Sequence, residues 1–234
     1  MSTVFLALPS YGGIEPEALA TADQPLLPGS PHRVIKARPT PVALLPFTFN
    51  QLWCHALNSR EKLGLTHFAM AHGDILAEAG WLDVLLAEMD RVGADVLSTV
   101  IAIKEEGGET STAGLNEHMT HRFTFKDLAV LPPTFDAAVL HPGELLVNTG
   151  LFVCRFDQPW VSKVDEQGRL KVAFHYHDYV LRGDDGTFRA YNMPEDWNFS
   201  LDAARLGAKV FATRLVKAEH IGRKRYPNWI DKPA

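Results

Sequence analysis

A chain of 234 residues, 46% hydrophobic and 22% charged, has the make-up of an ordinary globular protein with one large domain and a core that needs no disulfide staples. The net charge of −5 is small and spread along the sequence, which excludes a chain-wide basic surface for nucleic acid or anionic lipid and leaves only local patches open. Cys54 and Cys154 form no metal-type or redox-type pair, the N-terminus has no basic segment or signal-length apolar run, and no stretch of about 20 apolar residues occurs, so a cytoplasmic protein is expected.

Strand and helix signals alternate along the first hundred residues. The apolar run TVFLAL (3 to 8), stopped at Pro9, predicts a buried strand feeding the turn-rich loop PSYGG. A weaker strand follows at 32 to 37. Thr48 with Gln51 forms a capping-box pattern for a helix whose apolar face carries Phe49, Leu52, Trp53, Ala56, Leu57 and Leu63 and which Gly64 closes. THFAMA (66 to 71) predicts a strand, Trp81 to Met89 at helical spacing a helix ended by Gly93, and ADVLSTVIAI (94 to 103) a further strand. Short connections between these elements predict an α/β fold with a mostly parallel central sheet and helices on both faces.

From 104 to 144 the rhythm breaks, and a long irregular, functional loop region is expected there. LLVNTGLFVCRF (145 to 156) predicts one long strand, and RLKVAFHYHDYVL (169 to 181) another. NMPEDWNFSLDAARLG predicts a helix capped by Asn192 and Glu195 with Pro194 near its first turn, followed by a strand in KVFATRLV. The end of the chain, from 217 on, reads as a surface extension.

Three places carry chemistry. Ligands of open α/β sheets bind beyond the carboxyl ends of the strands, and His72-Gly73-Asp74 stands at such an end. Asp74 there is a hard-oxygen ligand for Mg²⁺ or Mn²⁺, or alternatively the cap of the helix that follows. Glu195 and Asp196 open a helix, where they complement its dipole; beside Trp197, one of them also has the setting of a general base. His220 lies just past a strand end, where a histidine packs as readily as it ligates. His175 and His177, two apart with Asp178 next, give a zinc-like pair that lacks a third ligand.

The order of these elements, with GWLDVLLAEM, NTGLFVCRF and EDWNFSLDAARLGAKVFAT between them, resembles the GT-A glycosyltransferases, in particular the family 2 like nucleotide-sugar-dependent enzymes. The resemblance spans residues 3 to 222. It implies one GT-A domain over 1 to 222, with a nucleotide-sugar-binding half (1 to 103), an acceptor-side half (104 to 222) and a tail (223 to 234). It implies that Asp74 and His220 hold a divalent metal, Mn²⁺ or Mg²⁺, at the donor's diphosphate, and that Asp196, seconded by Glu195, takes the acceptor's proton. Pro9, Tyr11, Gly12, Asn50, His72 and Asp74 would line the donor, a UDP-sugar ahead of a GDP-sugar.

Two positions depart from the family pattern. His72 replaces the first acid of the family's Asp-x-Asp turn, and VIKARPTPV offers no base-reading Asp. The reaction implied is metal-dependent transfer of a sugar to an acceptor hydroxyl with inversion, the acceptor being a glycan, lipid, protein or modified nucleic acid. Trp160, Tyr176 and Trp197 are candidate platforms for a sugar or base. The rival readings are a sugar nucleotidyltransferase, which PSYGGIEPE suits poorly because it is acidic, and a non-catalytic sugar- or nucleotide-binding domain. The basic segment GRKRYPNW leaves a contact with a phosphate backbone open.

Overall fold

A computed structural model describes residues 1–9, 14–37, 44–116, 119–140, 143–222 and 224–229. In chain order these form β1 (Thr3–Ala7), α1 (Leu19–Asp23), β2 (Arg33–Ala37), α2 (Leu45–Leu63), β3 (His67–Ala71), β4 (Ile75–Ala77), α3 (Trp81–Val92) and β5 (Val96–Thr99). Then come β6 (Glu109–Asn116), β7 (Met119–Thr124), α4 (Phe125–Ala129), β8 (Thr134–Asp136), β9 (Glu144–Leu146) and β10 (Leu151–Arg155). The chain continues through β11 (His177–Arg182), β12 (Phe188–Met193), α5 (Glu195–Arg205), β13 (Val210–Thr213), β14 (Ala218–Ile221) and β15 (Arg225–Pro227).

The main sheet has the order β2-β1-β3-β10-β5-β13-β8. Strands β2, β1, β3, β5 and β13 run one way, while β10 and the edge strand β8 run against them. The mostly parallel α/β architecture expected from the sequence is therefore present, with an antiparallel strand at its centre. Central strands are apolar on both sides because both faces are covered. Phe5, Phe68, Met70, Phe152 and Cys154 face α2 and α5, whereas Val4, Leu6, Ala69, Leu151 and Val153 face α3.

Helix α2 begins three residues before Thr48. Pro46 fills an early position that needs no amide proton, Thr48 is buried within the helix, and the expected capping box is absent; Gly64 closes the helix at φ 62° as expected. In α5 the cap is Pro194 with no side-chain bond, because Asn192 belongs to β12 and donates across the hairpin to Asp178.

Three larger differences come from tertiary pairing. The described residues between 104 and 144 are paired: β6 joins β7 and β9 in a small sheet, and β8 joins the main sheet through β13. The predicted long strand over 145 to 156 is two strands in two sheets, broken at 147–150, where Asn148 Oδ1 accepts from the Gly150 amide at 3.0 Å. Of the strand predicted over 169 to 181, only β11 forms, in a two-stranded sheet with β12.

The segment read as a surface extension is also built in. β14 pairs with β4 on one side and β15 on the other. Asn228, 4% exposed, donates to the carbonyls of Val100 and Val216 at 2.8 and 2.9 Å and accepts from the Ala218 amide at 2.9 Å. Asn228→Ala strands those three groups in a dry place, so urea unfolding should show a loss of about 2–3 kcal/mol; an unchanged midpoint would mean that water replaces the amide. No described helix is long and apolar enough to cross a membrane.

Candidate active site

Parallel strands present their carboxyl ends on one edge of the sheet, and the antiparallel β10 brings its start to that same edge. Asn148 fixes this junction: its Nδ2 donates to the Thr99 carbonyl at 2.8 Å, and its own carbonyl accepts from Ser98 Oγ at 2.7 Å. The carbonyl of Gly150 then accepts from the His72 amide at 2.9 Å. The turn after β3 is thus tied to the centre of the sheet. The exit of the first loop lies against it, with the Glu15 amide donating to the Gly73 carbonyl at 2.8 Å, and Pro9 is buried at the end of the first apolar run. Tyr11 and Gly12 lie outside the described residues.

His72 rests on Phe49 with ring centroids 4.9 Å apart. Burial pushes its imidazole down to about 4, with the His220 and Lys104 charges adding to the effect and Asp74 opposing it. The ring is neutral at neutral pH, and its buried Nε2 has no hydrogen-bond partner among the described residues.

Asp74 is followed by β4, and the next helix starts only at Trp81 with Gly80 as its cap, so the helix-capping reading of Asp74 falls. The Asp74 carbonyl accepts from the Ile221 amide at 2.8 Å. Its carboxylate Oδ2 lies 2.6 Å from Lys104 Nζ and 3.3 Å from His220 Nε2, while His220 Nδ1 stands 2.9 Å from the Ala102 carbonyl. Burial works against ionisation of Asp74, but His220 and the Lys104 ammonium outweigh it and hold the carboxyl well below the usual carboxylate range.

The second group sits at the start of α5. Burial, reinforced by the Glu195 charge, pushes Asp196 up to about 7, although the Trp197 amide (2.8 Å) and the Arg122 charge favour its ionised form. Burial also raises Glu195, against which the Tyr176 hydroxyl donates. Burial and the Glu195 charge in turn push that hydroxyl up to about 12. Trp197 is held by its Nε1–H on the Ser111 carbonyl at 2.8 Å and by the Arg122 guanidinium, 4.5 Å above its ring.

One backbone pairing joins the two groups. Ala102 bridges Thr110, and the Ser111 amide donates to the Ile101 carbonyl. His220 is bonded to Ala102, while Arg122 and Trp197 are bonded to the Thr110 and Ser111 carbonyls. Asp74 and Asp196 consequently flank the same short ladder beyond β5.

Other expected residues find different places. The Asn50 amide is occupied by the backbone of Phe174, donating to its carbonyl at 2.7 Å and accepting from its amide at 2.9 Å, so the fold already accounts for it. Trp160 and Trp197 are each 4% exposed and serve as core; of the candidate platforms only Tyr176, half exposed, is open. His175 pairs with Asp202 at 3.0 Å and stands outside the strand, which removes the geometry assumed for a zinc pair. In the basic segment, Lys224 pairs with Glu106 and Arg225 with Glu219, leaving no free cationic strip among the described residues there. Lys104 and Arg122 escaped sequence reasoning, though Lys104 follows a strand end by the same rule that singled out Asp74.

A divalent ion held by Asp74 and His220, as the resemblance implies, does not fit these residues. Their donor atoms face each other, and the Lys104 ammonium is bonded to the same Asp74 oxygen that a metal would take. Among the described residues no three His, Cys, Asp or Glu side chains converge on a point that could hold a metal ion. An ion at that oxygen would stand beside a full positive charge.

No protein-family model matches the sequence, and no curated protein does. Among solved structures, the chain is similar to A197 from STIV, with a TM-score of 0.52 and 14% identity over 97% of this chain and 89% of that one. It is also similar to a candidate UDP-N-acetylglucosamine pyrophosphorylase from Entamoeba histolytica (TM-score 0.43, 10% identity, 91% of this chain and 73% of that one). A third is a point mutant of UDP-glucose pyrophosphorylase from Leishmania major, solved with UDP-glucose (TM-score 0.41, 10% identity, 89% and 61%). The first of these is a likeness of fold.

Proposed function

We propose that this chain is a GT-A-type glycosyltransferase that moves a sugar from a nucleotide-sugar donor to an acceptor hydroxyl with inversion. The observation that carries the reading is Asp196: a carboxyl pushed up to about 7 at the mouth of the sheet, across a short ladder from the Lys104–Asp74 pair. A base poised near the working pH combines availability with proton affinity. Most of the donor side comes from residues 1–103, and most of the acceptor side from residues between 104 and 222.

In the reaction, the acceptor oxygen attacks the anomeric carbon while Asp196 takes its proton. The bond from that carbon to the diphosphate oxygen breaks, and its electron pair leaves with the nucleoside diphosphate. Glu195 keeps a negative charge beside Asp196 and so strengthens it as a base. Tyr176 is exposed next to both and is the side chain best placed to meet the acceptor.

The test is release of nucleoside diphosphate from a panel of UDP- and GDP-sugars, followed against pH. Asp196 must be ionised to accept a proton, so kcat/KM should rise about tenfold per pH unit below about 7 and level off above it. A flat profile from about pH 5.5 to about pH 8.5 would remove Asp196 from the role, and no release from any donor would sink the reading.

A further inference from the structure

We infer that the positive charge facing the donor's diphosphate is the ammonium of Lys104, which makes donor binding independent of a divalent metal; this rests on the proposed nucleotide-sugar reading. The site is built to hold that side chain. Its head is bonded to Asp74 Oδ2 at 2.6 Å, and its stem runs past Gly222, where a Cβ would stand 3.0 Å from Lys104 Cδ and 3.4 Å from the Tyr226 ring. Gly222 therefore leaves room that any other residue would fill. The β14–β15 hairpin, folded back by Asn228, forms the wall of the site and carries His220 on the same strand.

The charges agree with this arrangement. Asp74 stays ionised across the working range, so it anchors the ammonium through one of its three N–H donors and leaves the others for an anion. Both side chains are about one-third exposed, which leaves Lys104 donors open toward solvent at the strand ends. An arriving diphosphate takes those donors, and Asp74 keeps the ammonium aimed. As the sugar–oxygen bond breaks, the electron pair settles on the diphosphate oxygen, and Lys104 meets that charge as a fixed cation.

Calorimetric titration of the full chain with UDP, GDP and inorganic pyrophosphate, each in EDTA and in MnCl₂, tests the inference. Pyrophosphate and at least one nucleoside diphosphate should bind in EDTA, with Mn²⁺ changing affinity less than about threefold. Lys104→Met keeps the stem against Gly222 and should weaken binding at least tenfold, with an unchanged thermal midpoint; Lys104→Arg should retain most of it. Gly222→Ala, which displaces the stem and leaves the charge, should weaken binding by a smaller factor. Binding that needs Mn²⁺, or that survives in Lys104→Met, overturns the inference and leaves the glycosyltransferase reading standing. Pyrophosphate held through Lys104 with neither nucleotide bound does the reverse: the anion site stays and the nucleotide-sugar reading falls.

Discussion

Asp196→Asn is expected to cut sugar transfer by about 10²–10⁴-fold while leaving donor affinity within a few-fold of the parent. The amide oxygen can still accept from the Trp197 N–H at 2.8 Å, so the start of α5 keeps its shape and only the proton acceptor is lost. The same change should stabilise the fold. Asp196 binds a proton more tightly folded, at about 7, than unfolded in the ordinary carboxyl range, so its contribution is complete below about 4 and is lost as pH rises to about 7. Above that point the parent carries a poorly hydrated charge beside Glu195 and the variant does not. Chemical unfolding at about pH 8 should favour the variant by roughly 1–2 kcal/mol, with the difference vanishing near about pH 4. Equal activity in the variant would exclude Asp196 as the base, and equal stability at the alkaline end would show that the carboxylate is well solvated.

Phe199→Ala should give the largest loss of stability of any single change considered, about 3–5 kcal/mol. Its ring stacks on Phe174 at 4.6 Å and meets the edges or faces of Trp53 at 5.3 Å, Phe152 at 5.6 Å and Trp160 at 6.4 Å. Aromatic rings from α2, β10 and the segment between β10 and β11 thus converge on one side chain of α5. That convergence sets where Glu195 and Asp196, one turn earlier, are delivered. The thermal midpoint should fall by roughly 10 °C, and what activity remains at low temperature should show a lower kcat, since the base is displaced together with its helix. A fall below about 1 kcal/mol would mean that Phe174 and Trp53 close over the space.

The core of the fold was legible because its signals are local and strong. The strands at 3, 67 and 96 read from apolar runs, and α3 read from its period and from Gly93, which adopts the left-handed conformation at φ 69°. What escaped depends on partners far along the chain. Residues 109–116 carry Thr, Gly and Ser, yet they pair because β7 and β9 offer hydrogen bonds on both sides. The break at Asn148 follows from its bond to Thr99, which no window of sequence contains. At the candidate site, Asp74, Asp196 and His220 were singled out from position relative to strand and helix ends. Lys104 was passed over because it opens a charged, glycine-rich stretch that reads as solvent-facing; only the fold shows Asp74 and Gly222 closing on it.

The antiparallel strand β10 at the middle of the sheet has a consequence for how the molecule comes together. Its residues, 151–155, bridge β3 on one side and β5 on the other. When the first hundred residues have been synthesised, β2, β1 and β3 can form a ribbon, but β5 lacks both of its neighbours, since β13 comes later still. The nascent chain therefore carries open, apolar edges on both β3 and β5 until well past residue 150, and a fold that depends on such distant pairings forms slowly and is exposed to intermolecular pairing meanwhile. The segments that complete the strand-end edge, with Asn148, Asp196 and His220 on them, arrive in that same late portion, so closing the sheet and assembling the candidate site are one event.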